Sequence, residues 1–439
     1  MRIVIVGAGA AGLSLASHIR ENNENYEIIV FTKSENIAYS PCAIPLVLGG
    51  KITSFDDIIM HDLTYYIDKN IQIHLSTTVT DIDSHNKTIS FKKEQKTDKI
   101  RYDKLVIATG QEPIIPEYNI EDMTNIFSLN NLDDGRLIQE SLKDKKDVVL
   151  ISKFSIGIES AYELAHKGHN VTFLEETSSI LPLFLDEEIS QKLVELNEDM
   201  TIETNVNISS IINKGSKKEI QFNDKTITAD IIILPASKIP STSLAKKAGC
   251  EIGDSAIKIN EYLETSVEDI YAIGDCVEVK SHILGSSTIA PSGTNAVRQA
   301  MILANNLTNK KSLSFLPVVN TVVSSVGNYY YASCGITESF ANMVGMPVVS
   351  EYMEPYQKAR YCPDNQKLYI KMISKLDGNI VGCQIISKAD ISSKIDVVSL
   401  LILNNYTCED LISMEFSYTP SLSMIINPLV QIALKLKKQ

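Results

Sequence analysis

Along this chain, short continuous apolar runs alternate with longer amphipathic stretches, and one combination of the two occurs twice. Residues 2–6 predict a strand apolar on both faces, as in a buried parallel sheet. A glycine turn follows at 7–12, then an amphipathic helix at 13–20 and a second strand at 27–31, which together form one βαβ unit. The second copy has a strand at 148–151, a turn ending at Gly157, a helix at 158–166 and a strand at 170–174 closed by Glu175 and Glu176. Shorter strands are expected at 104–108, at 231–234, and from Ile270 into a Gly274-Asp275 turn. A helix is expected at 294–307, opened by Pro291-Ser292. Beyond Ser312 the texture changes to alternating runs at 317–326 and 368–373 and a helix at 391–404, which reads as a separate α+β domain.

With 439 residues, the chain is long enough for two to four domains with full cores. Its net charge of −13 opposes nucleic acid and anionic lipid, and the only basic cluster is the tail at 435–438. The cysteines (42, 250, 276, 334, 362, 383, 408) are odd in number and scattered, with neither disulfide-framework nor metal-ligand spacing, so a reducing cytoplasm is expected and no metal site. The apolar start is too short for a secretion signal, and no stretch reaches the length of a membrane span.

Gly7, Gly9 and Gly12 suit a dinucleotide turn: the backbone bends tightly, approaches a pyrophosphate and lets the helix pack on the strand, while the helix N-terminus favours the phosphates. The acid that usually grips the adenosine ribose is replaced by Thr32, followed by Lys33, whose neighbouring hydroxyl still offers a bond. About thirty residues after this turn stands Cys42, where a redox thiol would lie beside a flavin. The next cysteine in the chain is Cys250, so Cys42 would alternate between thiolate and a mixed disulfide or sulfenic acid, unless it is simply a structural thiol. Pro41 and Pro45 bracket it as a loop opening a helix at 44–48 would, which places the sulfur near helix-end amides.

Together with Ala108-Thr109-Gly110 and Gly274-Asp275, these motifs resemble the flavin-dependent pyridine nucleotide disulfide oxidoreductases. Within that family the chain is most similar to the single-cysteine branch of coenzyme A disulfide reductases, NADH oxidases and peroxidases, through the stretch 40–50. The resemblance spans the whole chain. It implies an α/β fold of two Rossmann-like dinucleotide-binding domains, FAD and NAD(P) type, plus a C-terminal α+β dimerisation domain. The expected boundaries are 1–110 with 240–312 for FAD, 111–239 for the NAD(P)-type domain and 313–439 for dimerisation. FAD would be held by Gly7, Gly9, Gly12, Thr32, Lys33, Ser40, Val79, Ala108, Thr109, Gly110, Asp275 and Pro291, with the following helix aimed at the isoalloxazine. Tyr361 and Tyr418 fall on the tyrosines that a partner subunit brings to the cysteine, which implies a homodimer. Coenzyme A is the suspected substrate thiol. Ser14, His18 and Lys69 match positions that hold its adenosine-phosphate end, whereas Glu21 and Pro41 depart from the expected basic or amide contacts.

The second nucleotide turn departs further. Where the family has Gly-Gly-Gly-Tyr-Ile-Gly, this chain has Ser152-Lys-Phe154-Ser155-Ile-Gly157. Phe154 replaces a glycine that lets the backbone reach the pyrophosphate, Ser155 replaces the aromatic at the nicotinamide, and Ser237 stands where another glycine is expected. Glu159 and Glu175 remain, and an acid at 175 would prefer NADH to NADPH. These departures count against NADH or NADPH. Either the nucleotide binds weakly through a remodelled loop, or the site is defunct and another electron carrier serves. Three functions compete: disulfide reductase, favoured by the two tyrosines; oxidase or peroxidase through a sulfenic acid, for which His18 is the nearby histidine; and a non-enzymatic flavoprotein sensor. Cys362, beside Tyr361, reads as a second, intersubunit thiol or as a small buried residue.

Overall fold

Both βαβ repeats fold as parallel sheets, as continuous apolar strands require when both faces are to be covered. The computed structural model describes residues 1–114, 118–309 and 313–438. Packing divides the chain into two units, one from residues 1–43, 54–115 and 237–318, the other from 44–53, 116–236 and 319–439. The boundary residue expected at 312 lies outside the described residues.

In the first unit, a five-stranded parallel sheet runs in the order Ile270–Ala272, Lys104–Ile107, Arg2–Val6, Glu27–Phe31, Ile71–His74. Helices Ala10–Asn22 and Gly293–Thr308 bury Leu15, Ile19, Ala300 and Leu303 in the same core as its strands. The first helix is longer than the 13–20 expected because Gly9 is itself the N-cap, so the last glycine of the turn already lies inside the helix.

The second unit holds another five-stranded parallel sheet, ordered Thr201–Glu203, Asn170–Leu174, Asp147–Ile151, Ile231–Leu234, Ile126–Ser128. It also holds the C-terminal antiparallel sheet, ordered Val322–Val326, Tyr329–Gly335, Ile380–Ser387, Leu368–Lys375, Val348–Met353. Helix Ser392–Leu403 follows close to the expected 391–404. The fold class is therefore the one expected, α/β with two Rossmann-like sheets and a C-terminal antiparallel domain. One strand is shorter than expected: of 317–326 only Val322–Val326 forms a strand, apart from an isolated bridge at Val318, since Pro317 has no amide to donate and Asn320 turns into the left-handed region.

A buried charge cluster fastens the C-terminal sheet within this unit. Lys371 and Asp186 are each 2 % exposed and lie 3.2 Å apart. Lys371 also reaches Glu338 at 2.7 Å and Glu188, while Asp186 accepts from the Glu338 and Ser339 amides, the Ser339 hydroxyl and Gln384.

Candidate functional site

The three glycines of the first turn answer different needs. Gly7 adopts φ +120, and a Cβ there would meet the Ala108 carbonyl oxygen at 2.0 Å; a Cβ on Gly12 would meet the Gly7 oxygen at 1.9 Å. The protein's own packing excludes side chains at both. A Cβ on Gly9 would touch nothing within 4 Å, and its φ of −81 suits any residue. Its glycine therefore leaves open space above the uncapped N-terminus of Ala10–Asn22, the geometry a phosphate group fills.

The remaining expected cofactor residues belong to the same unit. Thr32 caps the strand end, its amide donating to His74 O and its hydroxyl accepting from the Ser34 amide, and Lys33 is exposed beside it. Ser40 donates from its amide to Ile58 O, and Val79 is buried at a bulge in Thr77–Asp83. Ala108, Thr109 and Gly110 follow the strand Lys104–Ile107, with the Thr109 hydroxyl donating to Ser241 O. Asp275 lies ahead of Pro291 and the helix Gly293–Thr308, whose N-cap Ser292 makes no side-chain cap bond. Burial raises the Asp275 pKa against the opposing pull of the Ser292 amide and the Lys238 charge, leaving a desolvated carboxyl that gains from hydroxyl donors. An open glycine, two uncapped helix ends and this carboxyl fit a flavin dinucleotide.

Cys42 is exposed in the turn Pro41–Ala43, and the helix Ile44–Leu48 follows as expected. Tyr361 is 75 % exposed and Tyr418 47 %. Partial desolvation and the nearby Tyr418 phenol raise the Tyr361 pKa, so the Tyr361 ring stays a neutral proton donor near pH 7. Cys362 donates to Pro420 O at 3.1 Å. Leu422, Ile425 and Ile426 are also exposed on this C-terminal stretch, an apolar surface of the kind subunit contacts cover.

Ser14 and His18 share a face of the first helix, and Lys69 caps the helix Leu63–Asp68. Glu21 comes between them, 3.1 Å from His18 and 3.7 Å from Lys69. Lys69 also lies 4.6 Å over the Tyr65 ring, which stacks on His61. The structure thus adds an aromatic pair and a neutralising carboxylate to the expected residues.

In the second turn, Phe154 occupies the N-cap position that Gly9 holds in the first, with the same extended backbone. Ser152 packs against Gly157, and its hydroxyl accepts from the Phe154 amide at 3.1 Å. The helix Ser155–His166 is again uncapped. Glu175 is fully buried; one oxygen accepts from the Thr177 amide and hydroxyl, and the other has no hydrogen-bond partner. That unfilled acceptor suits a hydroxyl donor, while Phe154 puts a side chain at the N-cap where the first turn has glycine. Glu159 accepts from the Ser324 hydroxyl at 2.6 Å, and Glu163, one turn on, pairs with Lys51 at 2.5 Å. Sequence reasoning missed Ser324, Tyr331, Lys51 and Tyr65, whose partners lie far away in the chain or carry no motif.

Two parallel nucleotide sheets, an open phosphate turn and an exposed cysteine after it define a flavin-type disulfide oxidoreductase. The chain belongs to the Pyridine nucleotide-disulphide oxidoreductase family, which matches residues 1–300, and the family's dimerisation domain matches residues 322–429. Membership implies FAD and a homodimer. An NADH oxidase of Methanocaldococcus jannaschii is 40 % identical over 98 % of this chain and 97 % of its own. An NAD(P)H sulfur oxidoreductase (CoA-dependent) of Pyrococcus furiosus is 27 % identical over 99 % of both. A solved NAD-dependent persulfide reductase from A. fulgidus superposes with a TM-score of 0.95 at 29 % identity, covering all of this chain and 83 % of that one. These relatives' names all carry a pyridine nucleotide, which lends no support to the doubt raised by the second turn. Among the described residues, no helix is long and apolar enough to cross a membrane, and no His, Cys, Asp and Glu group could hold a metal.

Proposed function

We propose that this protein is an FAD-dependent thiol-disulfide oxidoreductase that reduces coenzyme A disulfide or a related persulfide or polysulfide, with NADH as donor and Cys42 as its redox cysteine. The observation that carries the reading is the exposed Cys42 thiol at the start of a helix, following a complete and open dinucleotide turn. FAD, when bound, relays two electrons from the pyridine nucleotide to sulfur. Gly9 and the helix behind it hold the pyrophosphate, and Asp275 receives hydroxyl bonds.

The Cys42 thiolate attacks one sulfur of the substrate disulfide, breaking the S–S bond and expelling the first thiol. Tyr361 and Tyr418, supplied across the homodimer, donate hydrogen bonds to the leaving thiolate and orient the substrate. Two electrons then break the mixed disulfide, the second thiol leaves and Cys42 returns as thiolate. One NADH and one proton thus convert one disulfide to two thiols and NAD⁺. Ser14, His18 and Lys69 meet the adenosine-phosphate end of coenzyme A. Gly157, Glu159 and Glu175 meet the donor, and the acid at 175 favours NADH over NADPH.

A second reading, NADH oxidase through a Cys42 sulfenic acid, is favoured by the name of the 40 % identical relative. Anaerobic NADH titration followed by coenzyme A disulfide separates the two. Bleaching of the flavin band by NADH and its return with release of two thiols supports the reductase. Return only on admitting oxygen supports the oxidase, and no bleaching rejects NADH as donor.

A further inference from the structure

Helix Ser155–His166 carries Ser155, Glu159 and Glu163 at i, i+4 and i+8, so the three side chains share one face. Within the same unit, Ser324 and Tyr331 stand directly opposite each other in the antiparallel register of the C-terminal sheet. The Ser324 hydroxyl donates to Glu159 Oε1 at 2.6 Å. Tyr331 is 1 % exposed, and the Ser155 and Ser324 hydroxyls lie near its phenol, where both favour its ionised form. Apolar side chains would serve a sheet packed on a helix, and buried hydroxyls destabilise unless bonded, so this chain of polar groups needs a reason beyond packing. Among the described residues no cation pairs with Glu159, whereas Glu163 has Lys51.

We propose that Ser324 and Tyr331 are positioning residues for electron entry, holding the Glu159 carboxyl and the first turn of its helix in the orientation the pyridine nucleotide requires. This rests on the reading of that helix as the donor site. Glu159 remains partly exposed, and its bond from Ser324 engages Oε1. Burial pushes its pKa up to about 7, with the Ser324 bond pulling down and the Glu163 charge pushing up. The groups facing it are Glu163 on its own helix, Ser324 and Tyr331 on the sheet, and Lys51 by way of Glu163. Losing the Ser324 hydroxyl removes a bond to the charged form and raises the pKa; losing the Glu163 charge lowers it.

Infrared titration of the holoenzyme reads this without turnover, the carboxyl band being assigned by its loss in Glu159→Gln. In Ser324→Ala the midpoint rises by about one pH unit; in Tyr331→Phe it rises by less. It returns to the wild-type position in Ser324→Thr and falls in Glu163→Gln. The pH dependence of NAD⁺ binding, measured by calorimetry, shifts in parallel. The proposal is overturned if NAD⁺ binds but neither midpoint moves in Ser324→Ala. If the band shifts while NAD⁺ binds to no form at any pH, the donor-site reading fails and the proposal fails with it.

Discussion

Replacing Gly9 by alanine separates what the first glycine turn does for the fold from what it does for FAD. The new methyl group would meet no protein atom within 4 Å, and φ −81 is ordinary for alanine. The apoprotein is therefore unchanged or stabilised by up to about 1 kcal/mol through the unfolded chain. The methyl projects where the pyrophosphate approaches the helix end. Loss of one amide-to-phosphate bond, about 1.5–3 kcal/mol for a charged acceptor, weakens FAD binding roughly 10- to 150-fold. Gly7→Ala gives the opposite pattern, since its Cβ would lie 2.0 Å from the Ala108 carbonyl oxygen at φ +120. Because neither neighbour is a flexible side chain, the cost reaches about 4 kcal/mol or more and little folded protein accumulates. Flavin content after dialysis and the unfolding midpoint of the apoprotein distinguish the two variants. A Gly9→Ala protein that keeps wild-type FAD affinity, or that unfolds like Gly7→Ala, refutes the reasoning.

Lys371→Met leaves Asp186 with its hydrogen bonds but no cation, and should lower stability by about 3–5 kcal/mol in denaturant titration; an unchanged midpoint contradicts the cluster's role. Burial alone would raise the Asp186 pKa, but the Ser339 and Glu338 donors and Lys371 outweigh it, so its value is depressed. Its contribution to stability is thus present above the ordinary carboxylate range and lost as pH falls through the depressed value; acid unfolding of Asp186→Asn should be correspondingly less steep. Glu21→Gln frees His18 and Lys69 for a phosphate and should lower the KM for coenzyme A disulfide about two- to fivefold, with pantethine unaffected; equal effects on both count against a phosphate site there. Brief alkylation should modify Cys42 ahead of the buried Cys250, Cys276, Cys334, Cys383 and Cys408, as peptide mass spectrometry can check.

The inner strands of both parallel sheets were legible because a strand covered on both faces is apolar almost throughout: 2–6, 27–31, 170–174 and 231–234 appear with the limits expected, whereas the short edge strands Ile71–His74, Ile126–Ser128 and Thr201–Glu203 were not read. Helix starts were less legible. Ala10, Ala11 and Ser155 carry no apolar periodicity, and the caps are backbone conformations of Gly9 and Phe154 that no side chain announces. The antiparallel strands Tyr329–Gly335 and Val348–Met353 escaped because their polar residues, such as Ser333 and Glu351, blur the alternation. At the candidate site, the glycines and Cys42 lie in local motifs and could be read directly. The Ser324–Glu159 bond joins residues 165 positions apart and the Lys51–Glu163 pair 112, so only the packed sheet and helix reveal them. Glu21 was visible as a departure, and the structure gives it a consequence by setting it against both His18 and Lys69.

The most direct test of a thiol-disulfide cycle at Cys42 is the intact mass of the flavoprotein after exposure to coenzyme A disulfide, with and without reductant. The account predicts one coenzyme A adduct per chain, mapped to the peptide carrying Cys42, released by NADH in the holoenzyme and absent from Cys42→Ser. An unmodified wild-type chain, or an adduct of equal yield in Cys42→Ser, would contradict it.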